Sequence, residues 1–598
     1  MTKLYSKFSW KKYHRWFGLV LSVFMLVFCV SGIILNHRTL FSGCEVSRSL
    51  LPSSYHIKNF NNGIIKGTVR IPGADSASIH EKETVLAYGC GGVWLTDTHM
   101  SAWRDFNAGL PESIDERNIR NVVRAKDGSL WCAALHDVYR YDGWKGKEVK
   151  DVKEVKDVKE GEQWQKVTLA GNDERIMDVT LNRDSTKVVA LTRSKIYEIP
   201  VGYSLMTSQS QQSSSVQSQS SSVQSRIIPA PKGYEPKTTL FKIVWHLHSG
   251  ELFGLPGKLV VDAIAVVLIV LSLTGIVLFI LPYRIRRWKK MKNAAGAAAL
   301  GDTVQRAKER MLRLGKQMVW HQKWHNKIGY LTIVLTLWIA ITGMCLRPPL
   351  MVPLVLNHVP EEVGEDGNVW QDKLRAIRWD EAHECWLVST SDGFLMVDEA
   401  CKQAPVLLAA DECPKLSPMG VTVFEKDGKG GWIVGSFRGM YRWLPMSSGY
   451  QPMSSGYQPM SSGYQVLDYF TNKPSIETSM IPISDDLICG YSADFFDGKP
   501  LVFDFAKGVE DSKGMSMSGY ATEIAPIVSM PEMLSEVKMS LWNVALELHV
   551  GRCYAPFLGP LSNLFVFVSG LLITLVLLSG YIILHRRKQK GKKRKNKR

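Results

Sequence analysis

Four stretches of the chain are almost uninterrupted in apolar residues: Phe17–Leu35, Leu259–Leu281, Ile328–Leu346 and Leu564–Leu584. A helix that crosses a bilayer needs roughly 20 such residues at 1.5 Å rise each. The pattern therefore predicts four spanning helices, over 17–37, 258–283, 328–346 and 561–584. The third run carries no charge, and the second carries only Asp262, near one end. The first run invites comparison with a signal peptide. Its length, the Asn36-His37-Arg38 that follows and the lack of a small-x-small cleavage site favour a retained helix.

Between these helices, residues 38–257 and 347–560 have another texture. Short β-branched and aromatic runs alternate with Asp-Gly and Gly-Gly turns, the pattern of antiparallel hairpins. A motif recurs within them. Asp127-Gly-Ser-Leu-Trp131 leads to Asp137-Val-Tyr-Arg-Tyr141, and Gly430-Gly-Trp432 leads to Gly439-Met-Tyr-Arg-Trp443. Gly91-Gly-Val-Trp94 and Cys385-Trp386 followed by Asp392-Gly393 are looser copies. About three propeller-blade-like units fit in each half. Two arrangements follow: one propeller closed by both halves on a shared axis, or two separate β-sandwiches. The fold class expected is thus a four-span membrane α-helical part plus all-β extracytoplasmic domains, propeller-like in the first arrangement. Three low-complexity tracts, Asp151–Glu160, the Ser/Gln run 208–225 and the PMSSGYQ copies at 445–465, read as growth in exposed loops, where added length costs little entropy.

Charge turns this pattern into a topology. The 598-residue chain has a formal net charge of +17, which by itself would suit a nucleic-acid binder. Residues 1–16, 284–327 and 585–598 hold 28 of the 73 Lys+Arg and only 2 of the 56 Asp+Glu. Each of these segments abuts an apolar run, and the rest of the chain is net acidic. That is the positive-inside pattern of a membrane protein and excludes a nucleic-acid groove. It predicts a cytoplasmic N-terminus (1–16), a basic cytoplasmic loop (284–327) and a basic cytoplasmic tail (585–598), with 38–257 and 347–560 outside. The tail doubles as an anchor to anionic lipid.

The four helices form two related pairs. His14-Arg-Trp-Phe-Gly18 corresponds to His325-Asn-Lys-Ile-Gly329, and each His is followed 18 residues later by the Gly of a small pair, Ser31-Gly32 or Thr342-Gly343. Leu247-His248-Ser-Gly250 corresponds to Leu548-His549-Val-Gly551, and Leu273-Thr-Gly275 to Leu578-Ser-Gly580. Corresponding helices run the same way, so the expectation is two parallel repeats about an axis along the membrane normal.

Ten cysteines show no CxxC spacing, and eight of them lie in the outer segments, where Cys401 and Cys413 are the closest pair. The histidines are more informative. Of 14, nine lie at or near the edges of the apolar runs: His14, His37, His246, His248, His321, His325, His358, His549 and His585. Five more, His56, His80, His99, His136 and His383, fall in the β segments and read as surface or turn residues. One His at an interface needs no special account, because imidazole is amphipathic. Two symmetric pairs are a functional hypothesis. A b-type haem in a helical bundle is held by two imidazoles from facing helices. His14 with His325 would hold one haem near the cytoplasmic face, and His248 with His549 a second near the outer face. His37 and His246 are the substitutes for the outer pair. Arg15 and Lys323 suit propionates or serve as topology charges. A zinc site would need a compact His/Asp/Glu cluster, which the spacing does not offer.

The His14-Arg-Trp-Phe-Gly18 opening of a span that ends in Ser31-Gly32 resembles the PepSY-associated transmembrane helix proteins, often called iron-regulated membrane proteins. So does Leu247-His-Ser-Gly-Glu-Leu-Phe-Gly-Leu-Pro-Gly257 before the span with Leu273-Thr-Gly275. The resemblance covers the helices and their flanks, and no PepSY domain accompanies it. It implies the inner (cytoplasmic) membrane of a bacterium, haem within the membrane and reduction of ferric siderophores. The function expected is passage of electrons across the membrane to a periplasmic ferric chelate, with two haem b groups. No GxGxxG opens a helix on the cytoplasmic side, so the donor would be quinol or a redox partner. The alternative is a non-enzymatic receptor or transporter accessory whose β domain binds a ligand.

Overall fold

The computed structural model describes residues 10–595 except 72–83, 99, 144–162, 170, 172–173, 204–221, 295–300, 365, 416–418, 428–429, 437–438, 446–449, 452–457, 460–463, 469–488, 497–498 and 505–529. His80, His99 and most of the three low-complexity tracts lie outside the described residues. The chain divides into two units. One comprises Met1–Phe41, Lys237–Glu361 and Leu541–Arg598; the other comprises Ser42–Pro236 and Glu362–Ser540.

The first unit is helical. Its main elements are α1 (Trp10–Asn36), α2 (Leu240–Ser249), α3 (Gly254–Ala294), α4 (Gly301–Leu331), α5 (Ile333–Cys345), α6 (Leu541–His549) and α7 (Ser562–Lys595). Among the described residues three segments are long and apolar enough to cross a membrane: Trp10–Asn36, Glu251–Met291 and Arg552–Gln589. A fourth is reached if the bent pair Val304–Leu331 and Ile333–Cys345 counts as one span. The expected straight span over 328–346 is thus broken, with a 68° bend. Thr332 sits at the break, its hydroxyl donating to the Ile328 carbonyl (2.9 Å), and the Thr336 hydroxyl donates back to the Thr332 carbonyl (3.1 Å). The same two carbonyls also accept the Thr332 and Thr336 amides, at 3.0 and 2.9 Å. The expected basic loop 284–327 is largely helical, because α3 continues to Ala294 and α4 begins at Gly301. Arg310 of α4 lies over the Trp288 ring of α3, 5.0 Å from its centroid.

The burial of these helices is inverted relative to a soluble bundle. Ser22, Ser31, Ser272, Thr274, Thr336, Thr342, Ser569 and Ser579 are buried, whereas Val20, Val23, Val266, Val334, Leu571 and Leu575 are exposed. Small hydroxylated residues let helices approach closely, and the bulky apolar residues are left for lipid. Between the helices, Cys29 of α1 and Ile264 and Leu268 of α3 are packed with Trp338 and Ile339 of α5 and Leu577 of α7.

The second unit is all-β and antiparallel. Among the described residues five four-stranded sheets follow one another in the chain. The first is Gly67–Ile71, Thr84–Gly89, Gly92–Asp97 and Trp103–Asp105; the second is Asn121–Arg124, Leu130–Ala133, Val138–Tyr141 and Gln165–Val167. The third is Ile176–Leu181, Lys187–Thr192, Ile196–Pro200 and Gln224–Arg226; the fourth is Leu374–Asp380, Cys385–Thr390, Phe394–Val397 and Val406–Leu407. The fifth is Val423–Lys426, Trp432–Ser436, Gly439–Pro445 and Tyr464–Asp468, and a hairpin of Cys489–Phe496 and Lys499–Asp504 follows. Each sheet is open, and no closed barrel is formed among the described residues.

The repeated motif makes the second strand pair of a sheet. Asp127 accepts from the Ser129 amide (3.0 Å) and hydroxyl (2.6 Å), and that hydroxyl accepts from the Trp131 indole (3.0 Å). The turn thus aims Trp131, fully buried, into the core between the second and third sheets. Consecutive sheets share faces throughout: first with second, second with third, third with fourth and fourth with fifth. The third-with-fourth core, with Val189, Leu191 and Ile196 against Trp370, Leu374 and Ile377, joins the two halves of the β unit into one body. No disulfide joins the described cysteines; Cys401 and Cys413 are both free and buried.

Candidate functional site: two histidine pairs in the helical unit

The four histidines singled out from the sequence meet in the expected pairs. The rings of His14 on α1 and His325 on α4 have centroids 6.3 Å apart and planes inclined at 72°. Those of His248 on α2 and His549 on α6 are 6.1 Å apart at 52°. The pairs lie toward opposite ends of α1. That helix carries His14 near its start, and its Ser31 supports His549 (2.9 Å), roughly 25 Å further along at 1.5 Å per residue.

The second pair is set by a local device that occurs twice. The short helices α2 and α6 each end at a glycine with positive φ, Gly250 (79°) and Gly551 (85°), just two residues after the histidine. Only glycine takes this conformation without cost. It reverses the chain through a 3₁₀ turn, Glu251–Phe253 or Arg552–Tyr554, toward the long helix that follows.

Each imidazole is held by a hydroxyl-glycine pair from another helix. His14 Nδ1 bonds to Ser579 Oγ (2.9 Å) and to the Val576 carbonyl (3.0 Å). His325 Nδ1 bonds to Thr274 Oγ1 (2.8 Å), His248 Nδ1 to Thr342 Oγ1 (2.9 Å), and His549 Nδ1 to Ser31 Oγ (2.9 Å). All four hydroxyls already donate to a carbonyl of their own helix: Ser579 to Val576 (2.8 Å), Thr274 to Val270 (2.7 Å), Thr342 to Trp338 (2.8 Å) and Ser31 to Val27 (2.7 Å). A hydroxyl has one proton, so towards the ring it accepts. Every Nδ1 is therefore the protonated nitrogen, and every Nε2 keeps its lone pair. Metal-ligating histidines are fixed in this way, with one nitrogen bonded to a protein oxygen and the other left to the metal.

The glycine next to each hydroxyl lies against the same ring. A methyl group at Gly343 would stand 2.9 Å from His248 Cε1, and one at Gly580 would stand 3.0 Å from His14 Cε1. At Gly32 and Gly275 the corresponding distances to His549 and His325 are 3.4 Å and 3.7 Å. Glycine is required where the ring comes closest. The importance of the glycines was legible from the Ser-Gly and Thr-Gly pairs. The part played by Ser31, Thr274, Thr342 and Ser579 was not, although their fixed place before each glycine is the signal that marks them.

Haem fits this donor set. Two imidazoles bound to one metal at about 2.0 Å each place their ring centroids about 6 Å apart when the bonds are collinear. Both pairs have that spacing, with the Nε2 of each ring unprotonated. Among the described residues no group of three or more His, Cys, Asp or Glu stands together as a metal cage, whereas an axial pair needs two imidazoles alone.

The other edge histidines are not drawn into either pair. His37 bonds to Asp262 (2.6 Å), His246 lies beside Trp245, His321 packs edge-on against Trp320, and His585 stacks on Tyr581. His358 is exposed. Arg15 lies over the rings of Phe279 and Tyr283, at 4.9 and 5.3 Å. In the β unit, His383 is not the surface residue expected. It is buried and donates from Nδ1 to Asp380 (2.6 Å), which also accepts from the Tyr464 hydroxyl (2.7 Å). Burial opposes the Asp380 charge, but the bonds from His383 and Tyr464 outweigh it and hold its pKa below the usual carboxylate value.

A family model described as the PepSY-associated TM region matches residues 3–281 and 150–587, which together span nearly the whole chain. No curated protein and no solved structure matches it significantly. By that match along its length, the chain belongs to the PepSY-associated transmembrane family.

Proposed function

We propose that this protein binds two haem b groups in the membrane and passes electrons across it to a ferric chelate of the siderophore type. The observation that carries the proposal is the pair of matched bis-histidine sites, each with its Nδ1 atoms bonded and its Nε2 atoms free. In this reading His14 and His325 hold the inner group and His248 and His549 the outer one. When bound, haem supplies a one-electron iron centre.

The chain's own part is to place and shelter that centre. The hydroxyls of Ser31, Thr274, Thr342 and Ser579 fix the tautomer and the ring orientation. The adjoining glycines let the rings approach the helices. The packed residues between the two sites, Cys29, Ile264 and Leu268 among them, exclude water from the path.

The contacts around the rings support two parallel repeats. Each histidine is held by the hydroxyl-glycine pair of the other half of the chain, and the exchange is reciprocal at both depths. Counting the bent α4–α5 pair as one span gives four spans. The basic ends and the basic 284–327 segment favour a cytoplasmic side for both termini, with the β unit in the periplasm of a bacterial inner membrane. In the β unit five open sheets pack face to face in order, and the Cys489–Phe496 strand touches both the first and the fifth. The donor is quinol or a redox partner, and the acceptor is a ferric chelate bound outside.

The test is direct. Purified protein should be red, with a low-spin spectrum and two haems per chain. His14→Ala or His325→Ala should remove one haem, and His248→Ala or His549→Ala should remove the other. If all four variants keep the full content, the ligand assignment fails. A colourless wild-type protein would turn the reading toward a receptor or transporter accessory.

A further inference from the structure

One ionisable cluster in the helical unit takes no part in either histidine pair. His37, at the end of α1, donates from Nε2 to Asp262 Oδ2 of α3 (2.6 Å). Asn36 Nδ2 reaches Asp262 Oδ1 (3.2 Å) and also the Ser249 carbonyl (3.3 Å). Ser249 directly follows His248. The cluster is thus bonded to the helix end that carries the second histidine pair. Asp262 is the only charged residue within the apolar run Leu259–Leu281. Ionisable groups at membrane depth are costly to keep, and they mark ion and proton pathways.

The charged groups on the elements packed around the cluster are engaged elsewhere. Lys258 pairs with Glu251 (3.1 Å), Arg552 pairs with Glu547 (2.5 Å), and Arg38 lies over the Trp542 ring (4.0 Å). His246 on α2 lies beside Trp245. His248 and His549 are bonded through Nδ1 to Thr342 and Ser31, as described. Among the described residues, no cation bonds to Asp262 other than His37. The His37 side chain is 28% exposed and that of Asp262 is 16% exposed.

We propose that His37 and Asp262 form a proton-exchange site coupled to electron transfer at the outer histidine pair. This rests on the haem reading above. An electron that arrives in a region of low dielectric raises the proton affinity of every titratable group nearby. The His37–Asp262 pair shares one proton across its bond and takes up a second when an electron enters. It returns that proton to the outer solvent when the electron leaves for the acceptor. Asn36 positions the carboxylate, holding Asp262 against the His248 helix end whichever way the proton sits. Charge is balanced locally: one electron and one proton enter, and one of each leaves.

The experiment is a spectroscopic redox titration of the full-length protein in detergent, at several pH values. The midpoint of the outer haem should fall as pH rises, approaching a tenfold change in the oxidised-to-reduced ratio per pH unit at fixed potential, about 59 mV. Asp262→Asn and His37→Gln should keep both haems and their spectra yet lose most of this slope. His246→Gln should retain it. Proton uptake on reduction, read with a pH-sensitive dye, should be present in wild type and absent in His549→Ala, which lacks the outer group. This second measurement does not depend on the Asp262 variant folding. A coloured wild-type protein whose outer midpoint does not move with pH overturns the proposal and leaves the haem reading standing. So does full slope in both cluster variants. A colourless wild-type protein overturns both.

Discussion

Lys66 shows how much a single residue depends on its surroundings. Its ammonium donates to the Asn118 side chain and to the Ile119 carbonyl (3.1 Å), inside the β unit. Burial, with Arg120 nearby, pulls its pKa down to about 7. An unfolded lysine keeps its proton to about pH 10.4. Between these values the unfolded chain binds more protons than the folded one, so stability rises with pH across the window from about 7 to about 10. Lys66→Met should abolish that rise, measured as the thermal midpoint of full-length protein in detergent at pH 7 and pH 9.5. An equal rise in wild type and variant would show that Lys66 does not titrate in this range. The four hydroxyls around the histidine rings make the same point. Serine and threonine are ordinary at helix interfaces, and here their bonding decides which imidazole nitrogen is left free.

The informative elements are the short ones. α2 and α6 are ten and nine residues long, too short to be stable alone. They owe their place to packing and to the left-handed glycine at the end of each. At Gly250 an added methyl group would stand 2.3 Å from the Gly257 carbonyl oxygen, in a backbone conformation that side chains resist. Gly250→Ala should therefore shift the end of α2 and loosen His248. If His248 and His549 hold a haem as proposed, the expected result is loss of most of that group with the one at His14 and His325 kept, read by haem content per chain. Equal loss of both would point to general unfolding. The α4–α5 bend is the other element-scale finding. It leaves the apolar pattern undisturbed, which is why the run over 328–346 reads as a straight span.

In the β unit as a whole, a polar chain ties five sheets together. The Tyr88 hydroxyl donates to Asn121 (2.9 Å), Asn121 donates to Asp178 (3.0 Å), and Asp178 accepts from the Ile377 amide (3.0 Å) and from Arg378. Arg378 reaches Glu425 (3.3 Å). These residues come from the first, second, third, fourth and fifth sheets in turn. Removing one partner of a buried ion pair leaves an uncompensated charge, which costs about 3–5 kcal/mol. Asp178→Ala should destabilise the β unit by that amount, with both halves unfolding together in a denaturant titration. Two separate transitions would mean that the halves do not depend on one another.

The one-dimensional pattern was sufficient for the coarse architecture. Long apolar runs, basic flanks and the β-like segments between the runs are local properties, and the membrane and the hairpin each act on local properties. The pairing of His14 with His325 and of His248 with His549 was legible as well, because a repeated motif implies equivalent positions that can face each other. Other features depended on residues far apart in sequence and needed the folded chain. Ser579 stands 565 residues from the His14 it holds, and Asp262 stands 225 from His37. No periodicity links such positions; only helix packing does. The same holds for His383, whose burial with Asp380 and Tyr464 is settled by the sheet it joins. Local chemistry determined which elements this chain forms. Tertiary packing decided which nitrogen of each imidazole is free, where the third apolar run bends, and that the two halves of the β unit share one core.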